Sequence, residues 1–209
     1  MRAFVDGAAG PGGGEANGAR SVVLALGGVD CLTAACLCGI ESNLDLQGER
    51  LGSAEFYYRD AHAPEPNRPN HIGAAILIFY EGKVLLESRT DSERWAFVGG
   101  GLYLNETLME CIIRETYEET GLLLREADIQ FCALFDDPSI IIKYPDGNII
   151  RSITAVYKTV LKELPELRCS AESKELRFFS AGELRDIKLV ETHIPLAEYF
   201  FPELVGNWK

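Results

Sequence analysis

The sequence is short of basic residues. It contains 20 lysine and arginine residues against 32 aspartate and glutamate residues, which gives a formal net charge of -12 at pH 7. Proteins that bind the phosphate backbone of nucleic acids neutralise it with lysine and arginine, so this balance argues against a nucleic-acid partner. A small anionic ligand stays compatible with the charge if a bound cation or a local basic pocket intervenes.

The sequence also lacks paired cysteines. The C-x2-C spacing that is typical of zinc sites is absent among its six cysteines, Cys31, Cys36, Cys38, Cys111, Cys132 and Cys169. We interpret them as free thiols of a reducing compartment, which predicts a cytoplasmic protein.

Internal repeats and a second domain of catalytic size are absent as well. The 209 residues, 47% of them hydrophobic, are enough for one main domain with a sizeable core. Residues 1–20 are rich in glycine and alanine without periodicity, which is typical of a poorly ordered segment. We predict a poorly ordered or accessory extension over residues 1–65 and the main domain over residues 66–209.

One apolar run is long enough to cross a bilayer. It covers residues 21–40 but contains Asp30 and the pair Gly27 and Gly28. A charge at mid-bilayer costs roughly 3 kcal/mol on insertion scales. The short basic stretch that would begin a secretory signal is missing too. We therefore favour an accessory element over a membrane segment.

From residue 71 onward, strand patterns dominate over helical ones. Runs of apolar, β-branched and aromatic residues predict strands at HIGAAILIFY, KVLLES, WAF, IQFCALF, IIIKY, IIRSITAVYKTVL and LRFFS. Helices are predicted at residues 106–120, 181–187 and 194–201. Many strands with few helices predict an α/β (α+β) fold, a mixed β-sheet with helices on its faces in an α/β/α sandwich.

The longest predicted helix gathers glutamates near its C-terminal end. Asn105 is a plausible N-cap and Gly121 a plausible end. Glu115, Glu118 and Glu119 follow each other at i, i+3 and i+4, so their carboxylates lie on one face. A solvated acidic face explains this cluster poorly, because the carboxylates repel one another and the last two lie at the negative end of the helix dipole.

A divalent cation removes that difficulty. Carboxylate oxygens are preferred ligands of Mg²⁺ and Mn²⁺, so a bound ion would turn repulsion into coordination. The glycines at residues 99–101, just before the helix, let the backbone come close to an ion or a phosphate. The helix and the glycines together predict a metal site.

This segment resembles the signature of the Nudix hydrolases, which it reproduces without a gap. The matching residues, at fixed spacing, are Gly100, Glu106, Arg114, Glu115, Glu118, Glu119, Gly121 and the aliphatic Leu122. Two positions depart from the usual pattern: Thr116 stands where an aliphatic residue is common, and Val98 where many relatives have proline. Neither departure removes a carboxylate, although Thr116 concerns the packing under the helix and Val98 the loop that presents Gly99.

The resemblance implies the Nudix α/β/α sandwich and a metal-dependent hydrolase of a nucleoside diphosphate linked to another group. By position in the signature, Glu115, Glu118 and Glu119 would bind Mg²⁺ or Mn²⁺, with the carbonyl of Gly99 as a further ligand. The remaining signature residues would be structural or catalytic support: Glu106 would pair with Arg114, and Gly121 would end the helix. Relatives often form homodimers, so a second copy of the chain is an expected partner.

The general base remains open at this stage. Glu118 or Glu119 could take the proton from the attacking water, as in some relatives, and so could Glu172 or Glu175 from the segment AESKELRFF. Ordinary surface charge explains the last two equally well.

The substrate is open too. Pro138 lies sixteen residues after the signature, where similar enzymes acting on ADP-ribose tend to have proline, although a turn in DDPS explains it as well. Candidate phosphate contacts are Arg89, Arg151 and the backbone of Gly100 and Gly101. We weigh ADP-ribose or a nucleotide sugar against an oxidised nucleoside triphosphate. A noncatalytic nucleotide sensor is a third hypothesis, which the complete set of carboxylates and the lack of a basic helix-turn-helix segment argue against.

Overall fold

The computed structural model describes residues 52–206 and 208. The apolar run at residues 21–40 lies outside this part of the chain. Within the described residues, no helix has the length and apolar character needed to cross a membrane.

Nine strands form a mixed sheet, and two α-helices accompany it. The strands are β1 (Glu55–Tyr57), β2 (His71–Tyr80), β3 (Lys83–Arg89), β4 (Trp95–Ala96), β5 (Val98–Gly101), β6 (Gln130–Phe135), β7 (Ile141–Lys143), β8 (Ile149–Val160) and β9 (Ser173–Phe179). The helices are α1 (Leu108–Thr120) and α2 (Ile194–Phe200), with 3-10 turns at Glu126–Asp128, Glu183–Asp186, Glu191–His193 and Pro202–Leu204. The helix predicted at residues 181–187 is therefore only a short 3-10 turn.

The centre of the sheet is β2. It pairs in parallel with β8 on one side. On the other side it pairs with β5 over residues 73–76 and with β3 only at Phe79 and Tyr80. The β2–β3 hairpin thus opens like a fork, and the segment from Trp95 to Gly101 fills it, pairing first with β3 and then with β2. This arrangement places the glycines of β5 against the central strand.

The strand β5 was not predicted; the predicted strand WAF corresponds to β4 and ends before β5. Three consecutive glycines disfavour a strand in isolation, because glycine has no side chain to pack and much backbone freedom to lose. In the fold, the two sides of the open hairpin supply pairing partners, and tertiary context overrides the local preference.

Helix α1 begins slightly later than predicted. Its N-cap is Thr107 rather than Asn105: the Thr107 hydroxyl accepts from the Glu110 N–H, and the Glu110 carboxylate accepts from the Thr107 N–H. Such a capping box satisfies two N–H groups at once, which a lone asparagine cannot do. The helix ends as predicted at Gly121, whose φ is 75°.

The two helices pack on opposite faces of the sheet. Ile112 of α1 shares a buried cluster with Ile76 of β2, whereas Leu196 of α2 shares another with Leu77. Neighbouring strand residues point to opposite faces, so β2 supplies both cores. Burying each such side chain contributes about 2 kcal/mol. The predicted α/β/α sandwich is confirmed.

Strand β1 lies within the residues that we assigned to the N-terminal extension. It pairs antiparallel with β7, and Glu55 Oε1 lies 2.7 Å from Lys143 Nζ across that pair. Just beyond it, the Asn67 N–H donates to the Ile149 carbonyl at 3.0 Å. Residues 55–57 therefore join the sheet although they fall within residues 1–65, and the division of the chain at residue 65 stays a prediction.

Candidate active site

The signature residues meet where β5 leads into α1. Arg114 fastens the connecting loop to the helix: its Nε and Nη2 lie 3.0 and 2.6 Å from the two carboxylate oxygens of Glu106. Nη2 also donates to the Gly101 carbonyl at 3.1 Å. The Glu106–Arg114 pair implied by the signature is thus present, and the hydrogen bond from Arg114 lowers the pKa of Glu106.

Arg114 also binds two of the helix glutamates. Its Nη1 lies 2.8 Å from Glu115 Oε1 and 3.0 Å from Glu118 Oε2. The Glu118 side chain is 52% exposed, whereas that of Glu115 is 13% exposed. One guanidinium therefore holds three carboxylates, and the loop and helix form a single unit.

Glu119 is buried against the backbone of the glycine strand. The Gly99 N–H donates to Glu119 Oε2 at 2.9 Å. Gly99 has φ 152°, and a Cβ there would lie 2.2 Å from the Ala74 carbonyl oxygen, so only glycine allows this approach. Burial raises the pKa of Glu119 well above its usual range, and the charges of Glu87 and Glu115 raise it further.

Glu115 lies against the next glycine. A Cβ on Gly100 would lie 2.3 Å from Glu115 Oε1, so the missing side chain makes room for the carboxylate. Burial raises the pKa of Glu115 to about 7, although the hydrogen bond from Arg114 opposes this. Gly99 thus binds one helix carboxylate through its N–H, and Gly100 leaves space for another.

Both departures from the signature fit the structure. Thr116 is fully buried, and its hydroxyl donates to the Ile112 carbonyl at 2.6 Å, so the polar group is satisfied within the helix. Val98 is buried and lies opposite Ile76 in the β2–β5 ladder. Neither residue disturbs the Gly99–Glu119 hydrogen bond.

Glu87 is a buried carboxylate that our sequence interpretation missed. It lies in β3, is 1% exposed, and accepts a hydrogen bond from Ser173 Oγ at 2.6 Å. Arg89 Nη1 lies 3.6 Å from its other oxygen. Burial raises the pKa of Glu87, and the positive charge of Arg89 opposes the rise. The sequence signal for Glu87 was its place two residues after the buried Leu85, on the face of β3 toward α1.

The two arginines predicted to contact phosphate both form hydrogen bonds within the protein. Arg89 makes a bidentate pair with Asp91, at 2.8 and 2.7 Å. Arg151 donates from Nη2 to the Asp136 carbonyl, and its buried Nε has no hydrogen-bond partner in residues 52–206 and 208. A phosphate contact by either arginine remains a prediction.

Glu175 lies on the face of β9 away from α1. Phe178 packs with the cluster on the α1 side, whereas Phe179 belongs to the cluster on the α2 side. Glu175 lies an even number of residues before Phe179, so it shares the α2 side. The structure does not bring it toward the helix glutamates.

Glu172, by contrast, lies near those glutamates. It is exposed and precedes β9, and its carbonyl accepts from the Thr90 N–H at 2.8 Å. Its carboxylate is close enough to Glu87 and Glu115 for their charges to repel. The structure therefore brings one of the two loop candidates to the site.

The site holds more carboxylates than cationic groups. Among the described residues, the acids Glu87, Asp91, Glu106, Glu115, Glu118 and Glu119 face two cationic side chains, Arg89 and Arg114. In the described part of the chain, no three acids, histidines or cysteines are grouped as a ready-made metal cluster, and Arg114 donates to Glu115 and Glu118. The donors nevertheless fit a hard divalent cation, since carboxylate oxygens and backbone carbonyls are its preferred ligands.

Comparison with known proteins establishes the family. A model described as the NUDIX domain matches residues 69–201. The chain belongs to the NUDIX family, and the resemblance read from the signature is confirmed.

Similar curated proteins are named RNA pyrophosphohydrolase. The protein from Xylella fastidiosa is 42% identical over 60 residues, which cover 29% of this chain and 30% of that protein. The one from Stenotrophomonas maltophilia is 36% identical over 66 residues, or 32% and 31% of the two chains. The match thus spans under a third of the length of these relatives.

Solved structures share the fold. A bifunctional NMN adenylyltransferase/ADP ribose pyrophosphatase from Francisella tularensis, complexed with AMP and a manganese ion, is 25% identical with a TM-score of 0.54, covering 66% of this chain and 43% of that one. The NUDIX domain of Shewanella oneidensis NrtR, complexed with ADP ribose, is 17% identical with a TM-score of 0.53, covering 69% and 95%. The second likeness concerns the fold alone.

Proposed function

We propose that the protein is a metal-dependent pyrophosphohydrolase that cleaves the phosphoanhydride of a nucleoside diphosphate linked to another group. One observation carries this proposal: the half-buried carboxylate of Glu115 and the buried carboxylate of Glu119 lie against Gly100 and Gly99, in a site with too few cationic side chains. Membership of the NUDIX family supports the same reaction.

The helix carboxylates are the proposed metal ligands. Glu115, Glu118 and Glu119 would hold Mg²⁺ or Mn²⁺, with the Gly99 carbonyl as a further ligand. When bound, the cation offsets the repulsion between substrate phosphates and carboxylates and lowers the pKa of a bound water. The Gly99 N–H orients Glu119, and Glu115 and Glu118 each accept from Arg114 through one carboxylate oxygen, which leaves the other for the ion.

We assign the general base to Glu172. Glu119 accepts a hydrogen bond from the Gly99 N–H and Glu118 accepts one from Arg114, whereas the exposed Glu172 lies near the helix glutamates. In the reaction, a proton passes from water to Glu172 while the water oxygen bonds to phosphorus. The phosphoanhydride P–O bond then breaks, and the second phosphate group leaves.

ADP-ribose is the proposed first substrate. The relative from Francisella tularensis, whose name includes ADP ribose pyrophosphatase, supports it, and so does the position of Pro138 after the signature. The Ser139 N–H also donates to the Asp137 carboxylate at 2.9 Å, so a local turn explains the proline as well. Triphosphate-ended RNA is a second candidate because of the curated relatives, although a chain charge of -12 opposes a polyanion.

A substrate screen with Mg²⁺ and Mn²⁺ tests the function. ADP-ribose, nucleotide sugars, oxidised nucleoside triphosphates and 5′-triphosphate RNA are compared, and phosphorylated products are identified. We expect AMP and ribose 5-phosphate from ADP-ribose, and at least about a hundredfold loss of turnover in Glu115→Gln and Glu119→Gln. Glu163→Gln makes the same chemical change at an exposed site and should be neutral. Unchanged turnover in both site variants would refute the assignment.

A further inference from the structure

We propose that Glu87 and Ser173 form a positioning pair that holds the Glu172 carboxylate beside the helix glutamates. The inference rests on the proposed function, because it concerns the base of that reaction. Glu87 and Ser173 act through Glu172 and do not themselves touch the substrate.

Three contacts fix the backbone on both sides of Glu172. The Ser173 hydroxyl donates to Glu87 Oε2 at 2.6 Å, and the Thr90 N–H donates to the Glu172 carbonyl at 2.8 Å. On the other side, the Glu172 N–H donates to Ser170 Oγ at 3.1 Å. The exposed carboxylate of Glu172 thus projects from a segment that is tied to the end of β3.

A bulge in β9 turns Ser173 toward Glu87. Ser88 lies opposite Glu175, but Arg89 lies opposite Ser173, so Lys174 is an extra residue between them. Without the bulge, Ser173 would share the face of Glu175, away from α1. A bulge redirects the side chains that follow it, and bulges are frequent next to active sites.

The burial of Glu87 also calls for a role beyond packing. Glu87 is 1% exposed, and its partner Ser173 is 7% exposed. Two residues earlier in β3, the same face carries the apolar Leu85. A carboxylate buried in place of an apolar side chain costs free energy, which its partners offset only in part. A role of Glu87 in holding the Glu172 segment in place for catalysis accounts for this buried carboxylate.

A double-mutant cycle tests the positioning role. Ser173→Ala removes the hydroxyl, and we expect kcat to fall about tenfold with KM within about twofold, because a misplaced base slows only the chemical step. In a Glu172→Gln background, Ser173→Ala should change kcat by less than about twofold, since there is no base left to position. Glu87→Gln keeps an acceptor for the serine and should retain more activity than Glu87→Ala.

The matched control is Ser180→Ala. It removes a serine hydroxyl that donates to the Glu183 carboxylate at 2.7 Å, away from the site, and should leave kcat unchanged. A purely structural role of Ser173 would lower activity equally in both backgrounds, and that result would overturn the inference. So would unchanged kcat in Glu172→Gln, while the metal-dependent hydrolysis itself would stand. Absence of any turnover by the unaltered protein would instead refute the proposed function and the inference with it.

Discussion

At the scale of single residues, the site is built from pairs of a glycine and a glutamate. Gly99 donates its N–H to Glu119, and Gly100 leaves the space that Glu115 fills. The glycines matter for what they lack, because a methyl group on Gly100 would occupy the position of the Glu115 carboxylate, and one on Gly99 would meet the Ala74 carbonyl oxygen. Glycine and glutamate are therefore expected to be inseparable in function.

Gly100→Ala tests this pairing. The added Cβ would lie 2.3 Å from Glu115 Oε1 and 2.4 Å from its Cδ, so the carboxylate must move. We expect at least about a tenfold loss of kcat/KM, since misplacing a ligand by about an ångström costs up to a hundredfold. Stability should change by less than about 1 kcal/mol, because the carboxylate can swing toward solvent.

The control for this variant is Gly182→Ala. The nearest atom to a Cβ at residue 182 is Ser180 Oγ at 4.0 Å, so the methyl group meets no obstacle. Steady-state kinetics and urea unfolding of both variants give the comparison. Equal activity of Gly100→Ala and Gly182→Ala would show that Glu115 has no required position.

Sequence alone predicted the residues of the signature but not the contacts of other segments near them. Glu115, Glu118 and Glu119 follow from local helical spacing, which one segment contains in full. The contact between Glu87 and Ser173 could not be predicted, since it depends on the β3–β9 register and on one bulge. Such information is distributed between segments that lie far apart in the chain.

At the scale of elements, the glycine strand is held from both faces of the sheet. Helix α1 contacts β5 through Glu119, and the segment before α2 contacts Phe97, just before β5, through His193. The Phe97 N–H, between β4 and β5, donates to His193 Nδ1 at 3.0 Å, and the two rings stack 5.8 Å apart. His193 must therefore be neutral at Nδ1 to accept this hydrogen bond.

This contact predicts a loss of stability in acid. Burial and the nearby charge of Arg89 lower the pKa of His193 to about 3, whereas the pKa of a histidine in the unfolded chain is about 6.5. Below about pH 6.5 the unfolded chain binds a proton that the folded chain does not. The stability from His193 is thus complete above that pH and falls as the pH drops, by about 1.4 kcal/mol per pH unit.

His193→Asn isolates this contribution. Asparagine Oδ1 can accept from the Phe97 N–H but does not titrate. In urea unfolding from pH 7 to 5, we expect the stability advantage of the unaltered protein to shrink by about 1–2 kcal/mol. A pH-independent difference between the two proteins would contradict the neutral, buried state of His193.

Elements were predicted well where their pattern is local. The apolar run of β2 and the caps of α1 lie within single segments, and the structure confirms both elements apart from the identity of the N-cap. The strand β5 and the short β1 were not predicted, because pairing partners elsewhere in the sheet decide them. Tertiary pairing rather than propensity determined these two strands.

At the scale of the whole molecule, the sheet defines how much of the N-terminal region the domain needs. Removing residues 1–51 keeps β1, whereas removing residues 1–65 deletes its pairing with β7 and the Glu55–Lys143 ion pair. We expect the first truncation to keep kcat/KM within about twofold. The second should lower Tm by about 2–8 °C, the equivalent of roughly 1–2 kcal/mol. Thermal unfolding and activity assays of both truncated chains test these expectations. Equal Tm values of the two chains would show that β1 contributes nothing to stability.

The net charge of the whole molecule predicts that divalent cations stabilise the fold. A net charge of -12 with several acids packed around two arginines should make the fold sensitive to divalent cations. A ligand that binds only the folded state stabilises it by about 2.7 kcal/mol at a hundred times its Kd, which raises Tm by roughly 5–10 °C. We expect this rise with Mn²⁺ or Mg²⁺, and its reversal by a chelator.

The effect must depend on the helix glutamates if they hold the ion. In a chain carrying both Glu115→Gln and Glu119→Gln, the metal-induced rise in Tm should vanish, because amides are weaker ligands and carry no charge to offset. Glu163→Gln, which removes one negative charge from the exposed surface, should keep the full rise. Since Tm is read without substrate, a rise that persists in the double variant would show that the cation binds elsewhere, whatever the enzyme hydrolyses.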